Sequence, residues 1–456
     1  IVYGEKARDC MASIFGDESV KYAACLQNLG FFYIGAGRLI EAKENLLKAI
    51  SILENENDMY SIQAYTNLLN IYSHEKDWDN FDKTAKKCFA FVQENNLDNT
   101  DLAASLAGTV GYCLLLNGKA KAKDYLGYAL DVTRKNGNDN SAEHFGGLVV
   151  YYLASFLDGT QNENTISTLI QGYRNLYLSN AAYYNNTERE SFVTSQRFAS
   201  IKDIIFSSRS QGVKDAELYD FLLFNKGLLL GTSLSYAKAI YNSGNEELIS
   251  QYGELVEIKR FLSGETTSSI EYTMEDAKVR ASVLEREITL YLRQNGGYTD
   301  ELSYTSNEVK DSLSDHEMAV EFVSYINYAE NCTNYAALVL MNDFEKPAFI
   351  KLGKAEDIEK LTTLTPDKIY SESPVSQELY DKIWAPIINV APTVKKIIFS
   401  PAGVLNKLAI EQLYNGKKRV CESYELMRVT STREICRRTP QYEYASAVLY
   451  GGLKYD

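Results

Sequence analysis

The sequence predicts a multidomain chain, an all-α array of helical repeats followed by an α/β region. Three observations carry this. All 7 prolines (Pro347, Pro366, Pro374, Pro386, Pro392, Pro401 and Pro440) lie in the last quarter of the 456 residues, so the long stretch before them lacks the residue that breaks helix interiors. Tyr33, Tyr72 and Tyr112 recur every 39 to 40 residues, the mark of a repeated structural unit. Beyond residue 300 the apolar spacing changes from three and four to two, which is the change from helix to strand.

The clearest repeat is Leu29-Gly30-x-x-Tyr33, then Gly37, Glu41-Ala42, Leu46 and Ala49. Small residues let two helices approach, and large ones fill the groove between them. A second unit offers Tyr72, Trp78, Ala85 and Cys88, and a third offers Tyr112, Gly118, Ala122, Leu126 and Ala129. Residues 141 to 299 keep the helical spacing without the period, as in 219–230 and 277–292, and read as a continuing helical array. Gln294-Asn295-Gly296-Gly297-Tyr298 interrupts the helical pattern with two glycines and marks a boundary near residue 300.

Three strands open the next region, at 320–326, 335–341 and 348–352, and their short connections predict an antiparallel meander. Helices are expected near 355–364 and 375–389. Further strands are expected at 396–400, 425–429 and 447–450. Strands alternating with helices indicate an α/β domain.

Composition excludes several functions. With 47 basic and 61 acidic residues the net charge is −14, the wrong sign for a general nucleic-acid or membrane-surface binder. No apolar run reaches the length of a membrane span. Seven cysteines are too few, and odd in number, for a disulfide scaffold. His74, His144 and His316 stand far apart, and no metal-ligand spacing joins them to one another or to a cysteine. Cys10, Cys25, Cys88 and Cys113 fall at helix-core spacing and read as small apolar fillers. Cys332 is placed in a hairpin loop, and no cysteine has a histidine partner for nucleophilic work. Asn117-Gly118-Lys119 lacks the rest of a phosphate-binding loop. Lys417-Lys418-Arg419 with Arg433, Arg437 and Arg438 forms the one local basic patch and reads as a solvated hairpin and helix end. The reading calls for no metal and no cofactor. The 34 tyrosines read mainly as amphipathic packing residues, with Tyr33, Tyr72 and Tyr112 as candidates to line a concave partner-binding face.

The first unit resembles a tetratricopeptide repeat, with helices longer than in the usual unit of about 34 residues. That resemblance covers residues 17–135. The C-terminal third resembles the CHAT domain, a caspase-related region usually preceded by tetratricopeptide repeats. The segments that carry it are Ser400-Pro401-Ala402-Gly403-Val404-Leu405, continued by Glu411-Gln412-Leu413, and Thr430-Ser431-Thr432-Arg433-Glu434. The resemblance implies a cysteine endopeptidase in the clan of caspases, separase and gingipains. Such an enzyme uses a His-Cys dyad at the ends of adjacent parallel strands, with backbone amides holding the oxyanion.

On this reading residues 1–140 are repeats, 141–299 a further helical array, 300–440 the non-catalytic half of the CHAT domain and 441–456 the first strand of the caspase-like core. The family's dyad segments follow that strand, so no catalytic residue is carried over onto this sequence. Gly451, Gly452, Lys454 and Asp456 are the substrate-loop candidates by analogy with the loop that recognises the residue before the cut. The sequence opens on Ile1-Val2-Tyr3-Gly4 without a methionine and closes at Asp456. It is therefore expected to be a piece cut or cleaved before the catalytic half, or else a natural pseudo-enzyme. Expected partners are a protein or peptide on the repeats and its own C-terminal protease fragment; membrane and direct nucleic-acid contacts are not expected. A cytoplasmic setting is the default expectation, open to revision by an N-terminal segment.

Overall fold

Helix starts in this chain are written in its small hydroxyl and acidic residues. The Ser19, Thr100, Ser141 and Thr273 side chains each accept a backbone N–H of the first turn they precede, and Asp77 does the same. The computed structural model describes residues 1–456 except 56–58, 139–140, 161–163, 182–189, 194–195, 210–213, 227, 264–272, 296–303 and 437–456. The described chain forms two compact units, one drawn from Ile1–Ala181 and Glu188–Ser208, the other from Arg209 onward.

The first unit is a helical array: α1 (Val2–Phe15), α2 (Val20–Gly35), α3 (Leu39–Asn55), α4 (Tyr60–Glu75), α5 (Trp78–Glu94), α6 (Asp101–Leu116), α7 (Ala122–Lys135), α8 (Ala142–Leu157), α9 (Thr165–Ala181) and α10 (Gln196–Ser207). Leading helices α2, α4 and α6 pack on trailing helices α3, α5 and α7, and also on one another in order. Glycine sets the closest crossings. A Cβ on Gly30 would lie 2.7 Å from Leu46 Cγ, and one on Gly111 would lie 2.7 Å from Leu126 Cγ. The α2–α3 and α6–α7 pairs thus share one interlock, a leucine seated in the notch left by a glycine. A continuous core of Leu29, Leu46, Leu68, Phe81, Leu106 and Val110 runs through the array.

The second unit begins with α11 (Asp215–Asn225). It continues through α12 (Leu228–Asn242), α13 (Glu246–Leu262) and α14 (Met274–Gln294), which bury Ile240, Leu255, Leu284 and Ile288 in a core of their own. The short α15 (Ser306–Ser312) starts with a capping box between Thr305 and Glu308. A five-stranded sheet follows: β1 (Glu317–Asn327), β2 (Cys332–Met341), β3 (Ala348–Lys354), β4 (Lys396–Ser400) and β5 (Glu425–Arg428), in the order β3-β2-β1-β4-β5. β1, β2 and β3 form the antiparallel meander, while β4 runs parallel to β1 and β5 parallel to β4. The expected strands at 320–326, 335–341, 348–352 and 396–400 are all present, and the one expected at 425–429 ends at Arg428.

Between β3 and β4 lie α16 (Ala355–Thr362), α17 (Pro366–Tyr370), α18 (Pro374–Ile383) and α19 (Ala385–Val390). The single helix expected near 375–389 is two, broken at Trp384 ahead of Pro386, which cannot supply the N–H that a continuous helix needs. Met318, Val320 and Phe322 of β1 share a core with Trp384 and Phe399, and the Phe322, Trp384 and Phe399 rings pack edge to face. Trp384 Nε1 donates to Ile410 O at 2.8 Å. The alternate residues of β1, including Glu321, point to the opposite face, where α11 contacts β1 and α15 contacts β2. With both faces covered, β1 is buried along most of its length, as parallel-type strands are.

Candidate functional site

The chemistry of the second unit collects at the carboxyl ends of β4 and β5, beside the middle of β1. Glu321 pairs with Ser400 in the sheet register, so both stand where the parallel pairing of β1 and β4 ends. Glu321 is an acid between Val320 and Phe322 in a strand buried on both faces, with no exposed surface. Burying a carboxylate is costly unless it is paired and hydrogen-bonded, and here it is both. Glu321 Oε1 accepts from Thr432 N at 2.6 Å, Thr432 Oγ1 at 2.8 Å and Ser431 Oγ at 3.1 Å. Glu321 Oε2 faces Lys226 Nζ at 2.8 Å.

Lys226 arrives from just past the end of α11. Its ammonium also donates to Ser400 O at 2.8 Å, to Ser400 Oγ at 2.9 Å and to Pro401 O at 3.3 Å. Burial pushes the Lys226 pKa below the usual lysine range, and the charge of Glu321 pulls against that shift. Two further bonds bind α11 to the segment after β5. Tyr219 and Thr432 share a hydroxyl–hydroxyl bond of 2.8 Å, and Arg433 Nη1 donates to Leu223 O at 3.1 Å. Arg433 is 2% exposed, which corrects its assignment to a solvated basic patch. A helix carbonyl accepts from the guanidinium that the sequence alone placed in water.

A cavity of about 760 Å3 opens beside this cluster, lined by Lys226, Pro401, Asn406, Met427, Arg428, Val429, Thr430 and Glu434. Crevices at the carboxyl ends of parallel strands are where α/β sheets bind ligands. Arg428 forms one wall. It donates to Asn406 O and Leu408 O and pairs with Glu411 Oε2 at 2.8 Å, which fastens the 403–412 turns to β5. Gly403 begins those turns at φ 57°, and Val404 N donates to Tyr335 Oη at 2.8 Å.

Lysine, serine and glutamate in contact raise the question of a serine–lysine nucleophile. The geometry argues against one. Ser400 has no exposed surface, and its hydroxyl donates to Thr430 O at 2.7 Å rather than to the lysine. The cluster positions strand ends; it does not present a nucleophile. The cysteines fare alike. Burial raises the thiols of Cys25, Cys113 and Cys436 and pushes Cys88 up to about 12, the reverse of what an attacking thiolate needs. Cys332 is the first residue of β2 rather than part of the loop before it.

The structure does not bring Tyr33, Tyr72 and Tyr112 onto one open face. Tyr33 is buried, its hydroxyl donating to Glu5 Oε1 at 2.6 Å and Arg38 lying over its ring. Tyr72 is buried under Lys43, and Tyr112 is exposed. In the same array a groove of about 360 Å3 lies along α5, floored by Phe81, Ala85, Val110 and Leu114 and walled by Phe89 stacked on Tyr125. Gly451, Gly452, Lys454 and Asp456, like Arg437 and Arg438, lie outside the described residues. Among the described residues no helix is long and apolar enough to cross a membrane.

No known family model matches the chain, and no curated protein sequence matches it.

Proposed function

We propose that this chain is the larger, N-terminal portion of a repeat-regulated cysteine endopeptidase of the CHAT family, whose helical repeats bind a regulatory protein or peptide. One observation carries the reading. The two most specific segments of the resemblance, Ser400-Pro401-x-Gly403-x-Leu405 and Thr430-Ser431-Thr432-Arg433-Glu434, leave the carboxyl ends of adjacent parallel strands β4 and β5. They meet there through Glu321 and Lys226. Most of their polar side chains are spent on that junction, so the cluster's role is to hold the sheet end on which a protease core would lean.

The reading assigns no catalytic residue to these 456 residues. The expected result is that the chain alone cleaves no member of a peptide panel, whereas a longer product carrying the His-Cys dyad segments does. Cleavage by the chain itself that persists when all seven cysteines are replaced by serine would overturn it.

The α5 groove favours a second reading, a non-enzymatic scaffold whose repeats capture a partner. It predicts that the reading frame beyond Asp456 ends soon or lacks the dyad, and that binding on the repeats is the whole activity.

A further inference from the structure

Helices α2, α4 and α6 close in the same way, and the closure fixes which of their residues correspond. Arg38 N donates to Tyr33 O at 2.9 Å, Asp77 N to Tyr72 O at 2.9 Å and Lys119 N to Leu114 O at 2.8 Å. Each bond spans five residues at the carboxyl end of its helix. Leu114 therefore holds in α6 the place of Tyr33 and Tyr72. Tyr112, to which the sequence period pointed, stands two residues short of it.

The two tyrosines fill the space between their own helix and the trailing helix before it. Tyr72 is buried beneath Lys43 of α3, whose Nζ lies 4.9 Å from the ring centroid and 2.7 Å from Glu75 Oε2. Tyr33 is buried with its hydroxyl on Glu5 of α1 and Arg38 over its ring. At the next step the ring, the cation and the ion pair are all replaced. Leu114 stands for Tyr72, Asn117 for Glu75, and Asp82 for Lys43 at the 39-residue offset. In a close-packed stack a missing ring leaves a void. The groove of about 360 Å3 lies at that place, with Leu114 and Asp82 both on its lining. It sits wholly within the continuous run 59–138, away from either end of the sequence, and Phe89 stacked on Tyr125 forms its wall. Asp82 is exposed and has no hydrogen bond or ion pair among the described residues.

We propose that this groove seats a tyrosine side chain of a partner polypeptide, its ring over Leu114 and a basic residue beside it paired with Asp82. The guest restores what the first step carries in its own sequence, where α1 supplies the acid and the other side supplies ring and cation. The net charge of −14 draws a cationic guest toward the chain. Lys86, one turn further along α5 and also on the lining, sets the order, since the guest's cation is favoured at the Asp82 end alone. The inference rests on the partner-binding half of the proposed function and not on its protease half, which the cleavage assay tests separately.

The test titrates the peptide acetyl-Ser-Lys-Tyr-Ser-amide into the full chain and reads, by NMR, the saturation passed from the protein to the tyrosine ring protons. Saturable binding is expected at about 1 mM, the range that one anchoring side chain reaches. Replacing the peptide's tyrosine by leucine should weaken it about tenfold or more, and so should Leu114→Tyr, which puts the chain's own ring in the groove. The second variant is Asp82→Lys, at an exposed position that leaves the fold intact. It should weaken binding about threefold or more and turn the preference toward acetyl-Ser-Glu-Tyr-Ser-amide. Absence of saturable binding overturns the proposal, as does equal binding of the leucine peptide or indifference to either variant. Self-association of the chain abolished by Leu114→Tyr also overturns it, because a second copy would then be the guest. A protein partner that binds the repeats equally well with Leu114→Tyr in place would sink the inference and leave the partner-binding reading standing.

Discussion

Lys226 Nζ lies 2.8 Å from Glu321 Oε2, and the two groups join the end of a helix to the central strand of the sheet. The Lys226 side chain is 14% exposed and that of Glu321 not at all. A pair this enclosed is strong evidence of coupling but weak evidence of net stability, because desolvation offsets most of the attraction. Removing one partner is another matter. Lys226→Met leaves a carboxylate buried without its cation and is expected to lower unfolding stability by about 3–5 kcal/mol. Glu321→Gln should cost less, since an amide can still accept from Thr432 N. Urea melts of both variants and of the double variant form the cycle. Additive losses would show that the pair does not act as a unit.

Gly30 makes a prediction of opposite sign to helix propensity. Glycine to alanine within a helix ordinarily gains about 1 kcal/mol. Here the new Cβ would meet Leu46 at 2.7 Å, so Gly30→Ala is expected to destabilise by about 1–3 kcal/mol through overpacking. Leu46→Ala in the same chain makes room, and thermal melts should find the double variant more stable than the two single losses added together.

Gly403 is held at φ 57°, and a side chain there would run into Tyr335. Gly403→Ala combines a left-handed backbone with a steric clash and is expected to cost about 1–3 kcal/mol. Tyr335→Phe strips Val404 N of its acceptor and should cost a comparable ~1–3 kcal/mol. Urea midpoints of the two variants measure both. An unchanged midpoint for Gly403→Ala would mean that the turn can rearrange.

Alkaline stability follows from the tyrosines. Burial pushes Tyr219 well above its ordinary value of 10 and raises Tyr173 as well. Burial first, and then the hydrogen bond to Glu54, push Tyr65 up to about 12. The folded chain holds these protons where the unfolded chain has released them. Their stabilising contribution is therefore complete below pH 10 and is lost as pH rises from 10 toward the folded values. Lys226 works the other way, its lowered pKa adding stability as pH rises toward 10.5, but it is one group against several. Tyrosinate absorbance followed beside the helix signal should show an early phase with structure intact and a late phase that coincides with unfolding.

The strands of the sheet were legible because β1 to β4 are short apolar runs between polar turns, a pattern set locally by burial. The repeat was legible because a helix interlock needs a small residue at a fixed offset from a large one, as at Gly30 and Leu46. Tyr33 and Tyr72 keep that period because they are packed, so periodicity marked the core rather than a surface for partners. The cluster around Glu321 was not legible as a site. Its one local signal was an acid between two apolar residues in a buried strand, which demands a partner without naming it. Lys226 and Thr432 lie far away on either side of it in sequence. Arg433 was misread for the same reason, since the carbonyl that accepts from it belongs to α11.

The attachment of α11 has a consequence for the order in which the chain is made. Tyr219 and Thr432 are 213 residues apart, so the helix leaves the ribosome long before the segment it must grip exists. At about 5–20 residues per second the wait is roughly 10 to 40 seconds. During that time α11, whose Tyr219, Phe221, Leu222, Leu223 and Phe224 are destined for burial, can be held only by α15 and β1. Helices α12 to α14 can close their own core meanwhile, and β1 to β3 can form their meander. A nascent chain arrested before residue 430 should therefore expose α11 to proteases and chaperones, and one released a few residues later should not.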